Sequence, residues 1–122
     1  MSFLQRDQML SDELRLKILK VLQENPTLNQ RQLADQLDIS LGKTNYCIQA
    51  LISKGMLKAN NFKNSHNKLA YSYLLTPGGL EEKARLTVGF LKRKMEEYEV
   101  LKKEIDELTR DSLEYGELKE KR

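Results

Sequence analysis

Hydrophobic residues recur three or four positions apart near the start of the chain, at Leu14, Ile18, Val21 and Leu22. That spacing places them on one face of an α-helix. Ser11 stands just before two acidic residues and is suited to cap the beginning of this helix. Pro26 pushes the residue before it away from helical backbone angles. The pattern predicts a first helix from Ser11 to about Glu24.

Two more apolar patterns follow with little room between them. Leu33, Ala34 and Leu37 share one face of a predicted helix over residues 30–37, which Asn29 caps together with Gln32. Asp38 tolerates the left-handed backbone of a tight turn. Ser40 then caps a third helix from Leu41 to about Lys54, where Gly55 ends it. The apolar face of this third helix is predicted to consist of Leu41, Thr44, Ile48, Leu51 and Ile52.

The pattern then changes to that of a β-hairpin. Residues 56–60 and 69–75 are predicted strands, the second because large apolar side chains alternate with smaller residues. The polar, asparagine-rich segment 61–68 between them is the predicted hairpin tip. Thr76 and Pro77 are suited to begin another helix. Two short helices joined by a turn and followed by a hairpin predict a mainly α winged helix-turn-helix domain over residues 1–79.

Residues 80–122 contain no proline and continue in a helical pattern. A helix of about 40 residues spans roughly 60 Å at 1.5 Å per residue, too long for so small a domain to cover. An apolar stripe with the spacing of a coiled coil predicts that this helix forms a homodimer. The alternative is a helix that folds back onto its own domain. The predicted dimerisation residues are Leu91, Tyr98, Leu101, Ile105, Leu108 and Tyr115.

Composition narrows the possible functions. The 122 residues carry a net charge of only +3, but between Asp38 and Pro77 the sole acid is Asp38, against five lysines: Lys43, Lys54, Lys58, Lys63 and Lys68. Positive charge concentrated on one segment is typical of a nucleic-acid partner. The single cysteine, Cys47, cannot form an internal disulfide, and it has no neighbouring ligands for zinc. We therefore expect no metal and no cofactor.

The third helix and the hairpin supply the candidate contact residues. On the face left after burial, amide side chains suit base edges, lysine suits guanine or phosphates, and glycine allows a close approach to DNA. The alternative is an ordinary solvated helix face and a polar loop. The candidates on the helix are Ser40, Gly42, Lys43, Asn45, Tyr46 and Gln49. Those on the wing, meaning the hairpin and its tip, are Lys63, Asn64, His66 and Lys68.

Other functional classes have less support. No grouping of nucleophile, base and phosphate-binding loop is present, so we do not expect an enzyme. The chain has no apolar run long enough for a membrane span and begins without a signal-peptide pattern, so a cytoplasmic protein is expected. The main alternative to specific DNA binding is a winged-helix protein-interaction module. A second alternative is a ligand-gated sensor.

Several segments resemble MarR-type transcriptional regulators, namely residues 29–34, Ile39 and Ser40, residues 51–57 and residues 75–79. Residues 41–47 and 61–65 are similar to a small subgroup called EPS-associated MarR-like regulators. The resemblance implies a dimeric bacterial regulator that binds promoter DNA and is linked to exopolysaccharide genes. The Asp-x-Arg pattern common on MarR wings is absent. The segment before the first helix is also short, which places the expected dimer contact on the tail.

Overall fold

The computed structural model describes the backbone of residues 10–63 and 69–120, and the side chains of residues 10–61 and 72–117. The elements in chain order are α1 (Asp12–Glu24), α2 (Gln30–Leu37), α3 (Leu41–Ser53), β1 (Leu57–Lys63), β2 (Leu69–Leu75) and α4 (Pro77–Glu120). The mainly helical winged helix-turn-helix with a small β-hairpin and a long C-terminal helix is thus confirmed.

The predicted helix boundaries follow from capping chemistry. Ser11 accepts a hydrogen bond from the backbone N–H of Leu14 and begins α1. Asn29 and Gln32 form a reciprocal capping box at the start of α2, which satisfies two backbone donors that the first turn leaves open. Asp38 adopts the left-handed conformation, with a φ of 55°, in the turn that leads to α3. Local sequence therefore fixes where these helices begin and end.

The hairpin is longer than predicted. β1 pairs antiparallel with β2 from Leu57 opposite Leu75 to Lys63 opposite Leu69. The predicted first strand ended at Asn60, because asparagine has a low strand propensity. Cross-strand pairing overrides this propensity, so residues 61–63 belong to β1 and not to the hairpin tip.

The core lies where α1, α2 and α3 meet the hairpin and the start of α4. Every element contributes to it, since the cluster of buried side chains includes Leu19, Leu33, Ile48, Leu57, Tyr73 and Leu86. A backbone hydrogen bond of 3.1 Å from Tyr73 to the carbonyl of Pro26 joins the hairpin to the turn after α1. The core holds the hairpin beside the helix-turn-helix.

A joint between two turns fixes the start of α4. The backbone N–H of Thr76 donates to the carbonyl of Met56, and the Thr76 hydroxyl donates to the carbonyl of Gly55. The same hydroxyl accepts from the N–H of Gly79, which caps α4. A Cβ on Gly79 would collide with the Met56 carbonyl oxygen, so this close approach requires glycine.

The chain separates into two compact units. The first ends at Thr87 and contains the winged domain, and the second begins at Val88 and consists of the remainder of α4. Within the described residues, no helix is both long enough and apolar enough to cross a membrane. No group of side chains in the same described part is suited to hold a metal ion.

Candidate nucleic-acid interface

α3 buries one face and exposes the other. Thr44, Cys47, Ile48 and Leu51 are fully buried, while Gly42, Asn45 and Gln49 are exposed. The exposed residues recur at three- and four-residue spacing, so they form one continuous stripe along the helix. Three of the six candidates on this helix are thus displayed together, with polar groups or open backbone facing solvent.

The other three candidates on α3 have structural contacts as well. Ser40 is exposed, but its hydroxyl oxygen accepts from the N–H of Lys43 and caps the helix. Lys43 is half-buried. Tyr46 is also half-buried and packs against the core cluster. Substitutions at Ser40 and Tyr46 are therefore expected to change the stability of the fold as well as any ligand binding.

Leu41 differs from its prediction. We expected it on the buried face of α3, but its side chain is 45% exposed. Leu41 is the first residue of the helix, and the preceding turn does not cover it. An exposed leucine at the N-terminal end of such a helix suits apolar contact with a thymine methyl group. Helical periodicity mispredicted the exposure of Leu41, because a residue in the first turn has helical neighbours on its C-terminal side only.

Asn45 is held by a residue that the sequence pattern did not single out. The Nε2 amide of Gln30 donates to Oδ1 of Asn45 at 3.2 Å and to the hydroxyl oxygen of Tyr73 at 3.1 Å. These three residues come from α2, α3 and β2, so one side-chain amide joins all three elements. No sequence signal links positions so far apart along the chain.

The wing candidates lie at the end of β1 or beyond it. Lys63 is the last residue of β1, and only its backbone is described. Asn64, His66 and Lys68 lie outside the described residues. Earlier in β1, Lys58 is exposed, as is Lys54 at the C-terminal cap of α3. These two lysines extend the positive charge from the end of α3 to the first wing strand.

Cys47 is a core residue. It is fully buried on α3, and burial raises the pKa of its thiol above the ordinary value of 9.0, with the positive charge of Lys43 acting as a smaller opposing influence. A reactive cysteine needs exposure and a lowered pKa. The environment of Cys47 gives neither.

The candidate dimerisation residues are all exposed in the single chain. Their exposed fractions range from 52% at Leu101 and Ile105 to 67% at Leu108 and Tyr115. Val88 and Met95, which the sequence pattern did not include, are exposed to 65% and 61%. Lys94 interrupts this apolar stripe of α4 and forms a 3.1 Å ion pair with Glu97 on the same helix.

Comparisons with known proteins agree with this architecture. Residues 11–58 match the model of a protein family described as winged helix-turn-helix DNA-binding. The solved structure of the transcriptional regulator homologue protein from Pyrococcus horikoshii OT3 is similar, with a TM-score of 0.55 and 22% sequence identity over 73% of this chain and 86% of that chain. At this identity the likeness shows a shared fold. No curated protein matches the chain.

Proposed function

We propose that the chain is a transcriptional regulator that binds double-stranded DNA, with α3 in the major groove. The observation that carries this proposal is the exposed stripe of α3, which consists of Gly42, Asn45 and Gln49. Within this stripe, Gln30 holds the side chain of Asn45 in place. In helix-turn-helix proteins the second helix of the motif enters the major groove, and the residues at its N-terminal end contact base edges. The family match over residues 11–58 supports the same assignment.

The charge distribution supports a role for the wing beside this helix. Lys54 and Lys58 are exposed at the end of α3 and in β1, and Lys63 ends the same strand. Lysines in such a position bind phosphates without reading sequence. The division of labour is sequence reading by α3 and backbone binding by the wing.

Selection of bound sequences from a random pool of duplex DNA tests the proposal directly. We expect a defined motif to emerge, and we expect Asn45→Ala to weaken binding and to relax the preference at one position of that motif. An unenriched pool, or an Asn45→Ala motif identical to that of the wild type, contradicts the assignment of α3.

Salt dependence separates DNA binding from the protein-interaction alternative. Phosphate contacts release counterions, so affinity for DNA falls steeply with salt. Lys63→Ala is expected to lower affinity for all sequences and to reduce the salt slope by about one. Lys17→Ala is the matched control, because Lys17 is an exposed lysine of α1, outside α3 and the wing. An affinity that hardly changes with salt favours a protein partner.

We also propose that the exposed stripe of α4 binds the same stripe of a second copy of the chain. Positions 91, 94, 98, 101, 105, 108, 112 and 115 follow one another at alternating steps of three and four residues, which is the spacing of a two-stranded coiled coil. Lys94 and Ser112 are the polar members of this series. A twofold dimer suits a DNA site made of two related half-sites. Sedimentation of a chain that ends at Thr87, the last residue of the first compact unit, tests this, and a truncated protein that remains dimeric contradicts it.

The charges that flank the stripe favour parallel helices. One flank carries Glu97, Glu104 and Asp111, and Lys102 lies on the other. A parallel pair places Glu97 of one chain opposite Lys102 of the other, whereas an antiparallel pair places the acidic flank against itself. Like charges on facing flanks are destabilising, so the parallel arrangement is preferred.

Cysteine cross-linking distinguishes the two orientations. Ser112 continues the inward series of Tyr98 and Ile105, so Ser112→Cys is expected to form a disulfide-linked dimer when the helices are parallel and in register. Lys103→Cys is the control, because residue 103 lies on the opposite side of the helix. Equal cross-linking at both positions, or at neither, contradicts the parallel arrangement.

The finer identity that we propose is a MarR-type bacterial regulator of exopolysaccharide genes, for which residues 41–47 and 61–65 supply the support. The glycine-dependent joint at Thr76 and Gly79 lies within residues 75–79, one of the segments that resemble MarR-type regulators. Mapping the selected motif onto promoters of the source genome tests this. Sites spread without relation to exopolysaccharide clusters contradict it.

A further inference from the structure

Asn45 is exposed on α3, yet a hydrogen bond fixes the orientation of its side-chain amide. Its Oδ1 accepts a hydrogen bond from Gln30, which is the first residue of α2. Gln30 is fixed in turn by the hydroxyl of Tyr73, a residue of β2 that is only 7% exposed. Buried Tyr73 therefore anchors Gln30, and Gln30 in turn orients the exposed side chain of Asn45.

The chemistry of the two amides decides what Asn45 presents. The Nε2 of Gln30 carries two N–H groups, and its two acceptors use both of them. Because Oδ1 of Asn45 accepts one of these hydrogens, the amide plane of Asn45 is oriented with its oxygen toward Gln30. The Nδ2 donors of Asn45 are then the groups left to face a ligand.

We propose that Gln30 is a positioning residue for sequence recognition and sets which side of the Asn45 amide faces the DNA. Asn45 then selects a base edge that offers an acceptor, such as purine N7, guanine O6 or thymine O4, over the cytosine N4 donor. This inference rests on the proposed DNA-binding function, and it assigns one base preference to a residue of α2 that need not touch the base.

Gln30→Glu provides the sharpest test, because it preserves the size of the side chain while replacing the donor with an acceptor. The carboxylate can accept from the Asn45 Nδ2 and from the Tyr73 hydroxyl, so the Asn45 amide turns and presents Oδ1 outward. In a selection from random duplex DNA, we expect the preference at the position read by Asn45 to move toward cytosine, whose major-groove edge offers the N4 amino donor and no acceptor.

Two further variants define the mechanism. Gln30→Ala removes the orienting contact, and we expect discrimination at that single position to fall about tenfold, as for the loss of one ordered base contact. Tyr73→Phe keeps the buried ring but removes the hydroxyl, so a smaller loss at the same position is expected. Asn45→Ala identifies the position independently. Thermal unfolding of each variant checks that the fold is retained.

The outcomes are distinct. A change confined to the Asn45 position in Gln30→Glu and Gln30→Ala supports the inference. An unchanged base preference at that position overturns it, as does a uniform loss across all positions, which would mean that Gln30 acts only through the fold. If the wild-type protein enriches no sequence at all, the proposed function itself fails, and the inference fails with it.

Discussion

Gly42 is exposed in the first turn of α3, where no contact with the described residues requires a glycine. A Cβ built at this position meets no atom within 4 Å. Glycine lowers helix stability relative to alanine by up to about 1 kcal/mol. Because Gly42 lies on the exposed stripe of α3, the proposed function assigns it to a close approach of the DNA backbone.

Gly42→Ala is therefore expected to have opposite effects on folding and on binding. The free energy of unfolding should stay the same or rise by up to about 1 kcal/mol. Affinity for the selected DNA should fall by about tenfold, since an extra methyl group in a tight contact costs about 1–3 kcal/mol. Denaturant unfolding and a DNA titration measure the two quantities. A variant that binds as well as wild type shows that the approach at Gly42 is not close.

Cys47 gives a prediction about alkaline pH. Burial raises the pKa of its thiol above 9.0 in the folded protein. The unfolded chain therefore loses this proton first as the pH rises, so the stabilising contribution is complete below the unfolded pKa and is lost at higher pH.

Between about pH 8 and about pH 10, unfolding free energy should fall more in the wild type than in Cys47→Ala. Chemical denaturation of both proteins at each pH measures the difference, and the variant cancels the contribution of all other titrating groups. Parallel curves for the two proteins contradict the prediction. A thiol reagent should also modify native Cys47 much more slowly than the unfolded protein.

The joint between the start of α4 and the turn after α3 depends on a single missing side chain. A Cβ at Gly79 would lie 3.0 Å from the carbonyl carbon of Met56 and closer still to its oxygen. Gly79→Ala must therefore displace either α4 or the Gly55 turn. We expect a loss of about 1–3 kcal/mol in unfolding free energy, the range for overpacked sites.

Gly89→Ala is the matched control on the same helix. Gly89 is exposed and its Cβ would meet nothing within 4 Å, so helical content should rise slightly or stay constant. Thermal unfolding and circular dichroism of the two variants provide the comparison. Equal stability of Gly79→Ala and wild type would show that the joint can open without cost.

A substitution at Lys94 tests the α4 stripe by strengthening the proposed dimer, whereas truncation at Thr87 removes it. It stands three residues after Leu91 and four before Tyr98, at an inward position of the proposed coiled coil. Lys94→Leu is expected to tighten dimerisation by at least about tenfold, because burial of a leucine side chain contributes about 1.5–3 kcal/mol. Lys103→Leu on the outer side is the control. Sedimentation equilibrium measures both, and equal effects contradict the assignment of the stripe.

Helices were predictable from the sequence because their signals are local. The caps Ser11, Asn29 and Ser40 lie within three residues of the donors that they satisfy. The first wing strand was predicted too short, because its extension through Lys63 depends on a partner strand and not on its own composition. Propensity alone does not contain that pairing.

The candidate site was predictable only in part, for the same reason. Helical spacing identified the stripe of Gly42, Asn45 and Gln49, since one face of a helix follows from periodicity. The contact between Gln30 and Asn45 joins residues fifteen positions apart. Leu41 is exposed because no neighbouring element within the described residues packs over the first turn of α3 at this position. Both depend on tertiary packing, which a single sequence does not encode in readable form.

For the molecule as a whole, the proposed dimer predicts a geometric requirement in its DNA site. Two copies of α3 related by a twofold axis need half-sites on the same side of the duplex, about 10 base pairs apart or a multiple of this spacing. Insertion of about 5 base pairs between half-sites rotates one of them by half a turn, and we expect most of the affinity to be lost. A chain ending at Thr87 should bind both DNAs equally weakly, as measured by electrophoretic mobility shift.

The joint at Thr76 also bears on how far the length of the wing can vary. The chain leaves the Gly55 turn, forms both strands and returns to the same point, where Thr76 bonds Gly55 and Met56. Residues 57–75 are thus a loop closed at its base. The entropic cost of lengthening such a loop grows only slowly, by about 0.6 kcal/mol for each doubling. Insertions between the paired strands can therefore change the length and charge of the wing at small cost, provided that Leu57 and Tyr73 keep their places in the core.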